Sequence, residues 1–260
     1  MNNSQEDIER RDFLKTGIGV AAGTAALGSG LARSLPVEAA EITTATNAGK
    51  SNMPRIPYKK IEDVKDAELA ESWRSRSLDS AMTHMIGHAE GFMTPLTELN
   101  GAVCGFDGRS TMDRTHRELV AVRTALLCDC RNISASHSLA ALGHGGATDA
   151  QVAALHAGDI NAEAFDEAEK LVLRFTTEVV KKVKASDATM EAMRKTFTDR
   201  QIIEFLILIG SRMIYCQIAE NGGVSPEDNA QFDDKWKDAH YEYPYRGLNG
   251  QLLGGGHSDQ

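Results

Sequence analysis

No phosphate-binding loop, dinucleotide fingerprint or haem-attachment motif appears in the 260 residues, so the sequence indicates no organic cofactor. Strand-like alternation is nearly absent, which leaves helices to build the core. No basic cluster occurs beyond the N-terminal segment. With a formal net charge of −9, the chain suits neither nucleic acid nor an anionic membrane surface. No internal repeat is visible. Cysteine is scarce: Cys104, Cys128, Cys130 and Cys216 are the whole supply, and no two of them form a C-x-x-C pair. A lone cysteine is more often a small buried hydrophobe than a reagent. The longest apolar stretch, residues 202–219, is broken by Glu204, Arg212 and Gln217. It therefore reads as a buried core or subunit-interface helix rather than a membrane span.

What is present begins with an export address. The run Glu9-Arg10-Arg11-Asp12-Phe13-Leu14-Lys15 precedes a weakly apolar, Gly- and Ala-rich stretch over 16–32. It reads as a twin-arginine signal over residues 1–40, with cleavage near Ala39 or Ala40. The expectation is a periplasmic protein that meets the twin-arginine translocase during export. Residues 41–57, rich in Thr, Ala, Asn and Pro, read as a linker. Residues 58–225 form one helical domain, and 226–260 a polar tail or an arm laid on a neighbouring subunit.

Within that domain a first helical region is expected from about Asp66 to Glu90 and another from Thr94 to Val103, ending at Gly105. Capping-box spacing occurs at Thr115/Glu118, Thr148/Gln151 and Thr198/Gln201. Phe165, Ala168, Val172, Phe175 and Val179 recur in alternating steps of three and four, as on a helix facing a packed partner. Asn221-Gly222-Gly223 stops the long apolar helix.

The chemistry concentrates in residues 117–137, RELVAVRTALLCDCRNISASH. Leu119, Val122 and Leu126 make one buried stripe, with Glu118 beside it. Polar residues 129–132 turn the chain into a second helix, which carries His137 back toward Glu118. Cys130 and His137 lie two helical turns apart and can share a face. A carboxylate, a thiol and an imidazole thus fall within one helix pair. Burial is expected to raise the Glu118 carboxyl, and the carboxylate to raise the His137 imidazole, so that the two share one proton near neutrality.

The spacing of Glu118, Cys130 and His137 resembles that of the carboxymuconolactone decarboxylase and alkylhydroperoxidase D superfamily, over about residues 55–225. The resemblance implies a compact all-α helical bundle and a homo-oligomer, commonly a trimer or hexamer. The peroxidase branch carries a glutamate, a C-x-x-C pair and a histidine. Here Cys130 matches the first cysteine, and Ile133 occupies the place of the second. Isoleucine can neither attack a peroxide nor resolve an oxidised partner. The decarboxylase-like branch needs no cysteine pair and keeps carboxylate and imidazole positions like Glu118 and His137.

Four further residues are substrate-binding candidates. His84 and His88 form H-x-x-x-H, which on a helix has metal-ligand spacing. Two ligands are not a site, so no metal is assigned and the pair is read as substrate-orienting. Arg123 and Tyr215 could line a pocket; their ordinary roles are a structural ion pair and core filling. The reading is a cofactor-independent lyase for a small oxygenated acid, lactone or aromatic-derived compound. His137 moves a proton and Glu118 holds its tautomer. The alternatives are a thiol peroxidase or redox protein using Cys130, and a non-catalytic exported subunit in which Glu118 and His137 are a buried structural pair.

Overall fold

The computed structural model describes residues 54–75, 80–105, 107–232, 236–237 and 239–243. Residues 1–40, read as a signal, and most of the stretch read as a linker lie outside the described residues. Among the described residues the chain is all-α, with nine α-helices and no β-strand. In order these are α1 (Ala67–Ser75), α2 (Ala81–Ile86), α3 (Glu90–Val103), α4 (Arg114–Leu127), α5 (Arg131–Ala140), α6 (Asp149–His156), α7 (Glu167–Lys182), α8 (Asp187–Thr196) and α9 (Asp199–Gly222). A 3₁₀ turn over Gly87–Ala89 joins α2 to α3, and a π-helical turn over Ala141–Gly145 follows α5.

The central element is α4, which packs against α5, α7 and α9. Residues 117–125 are all buried, as in a helix enclosed on every side. Three faces of α4 enter three apolar cores. Leu119 and Val122 join Phe165 and Leu173; Val120 joins Phe175, Phe205 and Leu208; and Ala125 joins Met85, Cys130 and Cys216. At about 25 cal/mol per Å² of apolar surface removed from water, this arrangement makes α4 the helix on which the rest is assembled.

The boundaries differ from the sequence reading in three places, each with a local cause. The helical region expected from about Asp66 to Glu90 holds two α-helices and a 3₁₀ turn rather than a single element. Ser80 starts α2 by accepting a hydrogen bond from Thr83 N at 3.2 Å, and Asn229 Oδ1 accepts from Ala81 N at 3.0 Å. The Thr115/Glu118 capping box does not form, because Asp113 caps α4 by accepting from Thr115 N at 2.8 Å and His116 N at 3.3 Å. That leaves the Glu118 carboxylate free to turn inward. The boxes at Thr148/Gln151 and Thr198/Gln201 do form.

The third difference concerns residues 226–243, read as the start of a tail or an arm on a neighbour. Pro226–Gln231 form a 3₁₀ turn. Tyr241 is buried against Ala135 and Leu139 of α5, and the Tyr243 hydroxyl donates to Asp149 O at 3.0 Å. The aromatic residues supply apolar surface that the polar sequence between them conceals.

Candidate active site

Four helices deliver one polar cluster into the interior. α4 brings Glu118, the last turn of α5 brings His137, α9 brings Arg212 and α3 brings Asn100. Glu118 is 4% exposed and Arg212 3% exposed, so neither is a surface charge. The short turn between α4 and α5 puts His137 Nδ1 2.7 Å from Glu118 Oε2. On the other side of the ring, Arg212 Nη1 lies 2.7 Å from His137 Nε2.

These two contacts define the tautomer. A guanidinium has only donors, so Nε2 must accept; Nδ1 therefore carries the proton and donates it to Glu118. The Nε2 lone pair is covered by Arg212, and the orientation of the imidazole is held from both sides. Arg212 Nη2 also donates to Asn100 Oδ1, which accepts from Cys104 Sγ at 3.6 Å. The Arg212 guanidinium carbon lies 4.9 Å from the centre of the Tyr215 ring, and the Tyr215 hydroxyl donates to Leu96 O at 3.1 Å.

Burial alone would push the Glu118 carboxyl up. The attraction of His137, its hydrogen bond, and the charges of His144 and Arg212 outweigh burial and hold the carboxyl below its ordinary range. This corrects the expectation of a raised carboxyl sharing one proton with the imidazole: with two positively charged or polarised partners, Glu118 stays a carboxylate. Burial raises the Cys104 thiol, against the opposing pull of Arg212 and Arg117. Arg117 is itself buried, and its Nε has no hydrogen-bond partner. Its guanidinium fills the space where a side chain on Gly105 would stand, and Gly105 has φ +73. Two guanidinium groups and one carboxylate leave a net positive, partly unsatisfied interior.

The sequence-predicted residues do not all meet here. His84 Nδ1 donates to Lys59 O at 2.6 Å, its ring stacks on Phe232, and His88 Nε2 donates to Pro57 O at 2.6 Å. Both rings tie down the segment before α1; these contacts are not with the Glu118–His137 pair. Arg123 points to α7, where its Nε donates to Thr177 Oγ1 at 3.1 Å. Tyr215 is the one of these four that touches the cluster, through Arg212. Cys130 stands at the N-cap position of α5 without a side-chain capping bond and is 1% exposed, with Ile133 one turn on at 5%. No group of three or more His, Cys, Asp or Glu side chains among the described residues is arranged to hold a metal.

The sequence reading does not name Asn100 and uses Arg212 only as a break in the long apolar stretch, not as a site residue. The signal for Arg212 was there: the one guanidinium within the apolar stretch 202–219 must have a partner where it is buried. Beside α5 lies a cleft of about 290 Å³ lined by Asn132, Ile133, Ser136, Ala140, His144 and Asn229, among others. Asn132 is 3% exposed, and its Nδ2 has no partner.

Residues 90–178 match the carboxymuconolactone decarboxylase family. The matched span holds Glu118, Cys130 and His137 but stops short of Arg212. Among solved structures, the fold is similar to that of an uncharacterized peroxidase-related protein from Ralstonia eutropha JMP134, described as an alkylhydroperoxidase AhpD core. The TM-score is 0.58 at 15% identity, over 71% of this chain and 94% of that one. None of the curated proteins matches the chain. At that identity the structural likeness bears on the all-α fold alone.

Proposed function

We propose that the chain is a cofactor-independent acid–base enzyme, of the decarboxylase-like type, acting on a small carboxylate-bearing lactone or oxo acid. The observation that carries this reading is the buried Glu118···His137···Arg212 relay, in which the carboxylate fixes the Nδ1–H tautomer and aims Nε2 at a guanidinium. A substrate carboxylate is a better partner for Arg212 than a neutral imidazole nitrogen, because the charged pair forms stronger, bidentate hydrogen bonds. Its arrival draws Arg212 off His137, and the freed Nε2 faces the bound molecule. Nε2 then takes a proton, or returns one to carbon, while Glu118 stabilises the imidazolium. Arg117, with its unpartnered Nε, is a second group for the developing negative charge. Such a site suits proton transfer beside a carbonyl, the step shared by decarboxylation and double-bond migration.

The thiol-peroxidase alternative through Cys130 has less support, because Ile133 stands where a resolving thiol would be and Cys130 is sealed from solvent. The test is carbon dioxide release from carboxymuconolactone and related carboxylated lactones. His137→Ala is expected to lower turnover by about 10² to 10⁴ while leaving the melting temperature close to wild type. Glu118→Gln should do less damage, and the double variant should lose little more than His137→Ala, since the two residues act as a unit. If activity falls only in proportion to folded protein, the pair is structural and the reading fails.

A further inference from the structure

The cleft of about 290 Å³ beside α5 is separate from the relay, since none of Glu118, His137 and Arg212 lines it. One wall is a side of α5, where the spacing of Asn132, Ile133, Ser136, Leu139 and Ala140 sets them together. The facing walls come from Ser80 and Met82 at the start of α2, Asn229 of the 3₁₀ turn, and Trp236. These four lie outside residues 90–178, the span matched to the family. The walls are tied to one another. Asn229 Oδ1 accepts from Ala81 N at 3.0 Å, and Arg131 Nη1 donates to Glu227 Oε2 at 2.7 Å. Tyr241, buried against Ala135 and Leu139, backs the Trp236 ring, with centroids 6.1 Å apart and planes at 27°. The cleft is therefore formed before any ligand arrives, as small-molecule sites usually are.

Met82, Ile133, Leu139, Ala140 and Trp236 give the cleft apolar surface. No Asp, Glu, Lys or Arg lines it, and His144 is its one titratable group. Other polar side chains there are engaged within the fold: Ser80 Oγ accepts from Thr83 N at 3.2 Å, and Ser136 Oγ donates to Asn132 O at 2.9 Å. Asn132 is the exception, being 3% exposed with an Nδ2 that has no partner. A buried amide without a partner is costly, and folded proteins hold few of them. The carboxamide is a broad two-fold rotor, so a modest turn about χ2 presents its N–H groups to an acceptor in the cleft.

We propose that this cleft is a second binding site, for an uncharged ring-sized molecule that carries a carbonyl group: a cyclic or aromatic ketone, or a lactone without a carboxylate. The carbonyl oxygen accepts from Asn132 Nδ2, and the ring packs among Trp236, Ile133 and Leu139. A carboxylate would leave water for walls that offer no Lys or Arg, which is unfavourable. That distinguishes this ligand from the substrate carboxylate assigned to Arg212. Because His144 lines the cleft and its charge also acts on Glu118, the occupant sits beside the acid–base pair without joining it.

The experiment titrates the isotope-labelled full chain with acetophenone, ethylbenzene and benzoate at about pH 8, above the ordinary histidine range. The three probes are alike in size; acetophenone adds an acceptor to the ethylbenzene shape, and benzoate adds a charge. Acetophenone is expected to bind with a Kd on the order of 1 mM or tighter. It should shift the amide signals of Ile133, Ser136 and Ala140 and the indole signal of Trp236. Asn132→Leu should weaken acetophenone about fivefold or more, the effect of one lost hydrogen bond, and leave ethylbenzene within about twofold. Should that variant fail to fold, the side-chain amide signal of Asn132 in the wild type decides, since acetophenone should move it and ethylbenzene should not. Equal losses for both probes in the variant, an unmoved Asn132 signal, or shifts centred elsewhere would overturn the inference. So would benzoate binding as tightly as acetophenone.

Discussion

At Glu118 burial and pairing act in opposite directions, and pairing wins, so the carboxyl sits below its ordinary 4.5 in the folded chain. A depressed native value means that the folded state binds this proton less readily than the unfolded chain. Its contribution to stability is therefore fully present above the unfolded value and is lost as pH falls through the lower, native one. Glu118→Gln should accordingly cost most stability at neutral pH, and the gap from wild type should narrow below about pH 4.5. Chemical denaturation at a series of pH values checks this. A gap that stays constant through the acid range would mean that Glu118 is not held as a carboxylate. His84 and His88 illustrate the opposite lesson at the same scale: metal-like spacing was accounted for by two backbone carbonyls of a neighbouring segment.

At the scale of elements, the π-helical turn after α5 sets how closely α4 can approach it. A Cβ added at Gly145 would stand 2.7 Å from Glu118 Cγ and 3.1 Å from Ala140 O. Gly145→Ala should therefore destabilise the fold by about 1–3 kcal/mol and lower activity, because the Glu118 side chain is what must give way. Gly91→Ala, where nothing lies within 4 Å, is the matched control and should be neutral or slightly stabilising. Thermal melts and turnover of both variants check the pair. An equal effect at the two glycines would show that the close approach at Gly145 is not what orients Glu118.

For the whole molecule, α9 is long and apolar enough to cross a membrane by length and composition, yet half of its most apolar window is buried within the fold. The rest of its surface leaves Ile203, Ile207 and Ile214 exposed at 54%, 45% and 39%. Their spacing sets them along one side of the helix. We propose that this stripe is where copies of the chain meet in a homo-oligomer. Ile207→Glu should then lower the mass measured by light scattering to that of the monomer, and an unchanged mass would place the contact elsewhere. The export proposal also belongs at this scale. Replacing Arg10 and Arg11 together by Lys should hold the protein in the cytoplasm, because the receptor reads the arginine pair. Normal recovery of that variant from the periplasm would remove the assignment.

Helicity, two of the three capping boxes and the Glu118–His137 pairing were determined by the sequence alone, and for one reason. Each depends on residues within a turn or two of one another, or on two helices joined by a turn too short to separate them. The Asp113 cap was legible by the same rule, and only the nearer-looking Thr115 box obscured it. Arg212 stands 75 residues from His137 and 112 from Asn100, and its meeting with both follows from α9 packing across α3, α4 and α5. No periodicity or spacing encodes such contacts, because close packing of the buried faces decides them once the helices exist. The Glu118–His137 pair was therefore written locally in the chain, while the group that covers its free nitrogen was chosen by the tertiary structure.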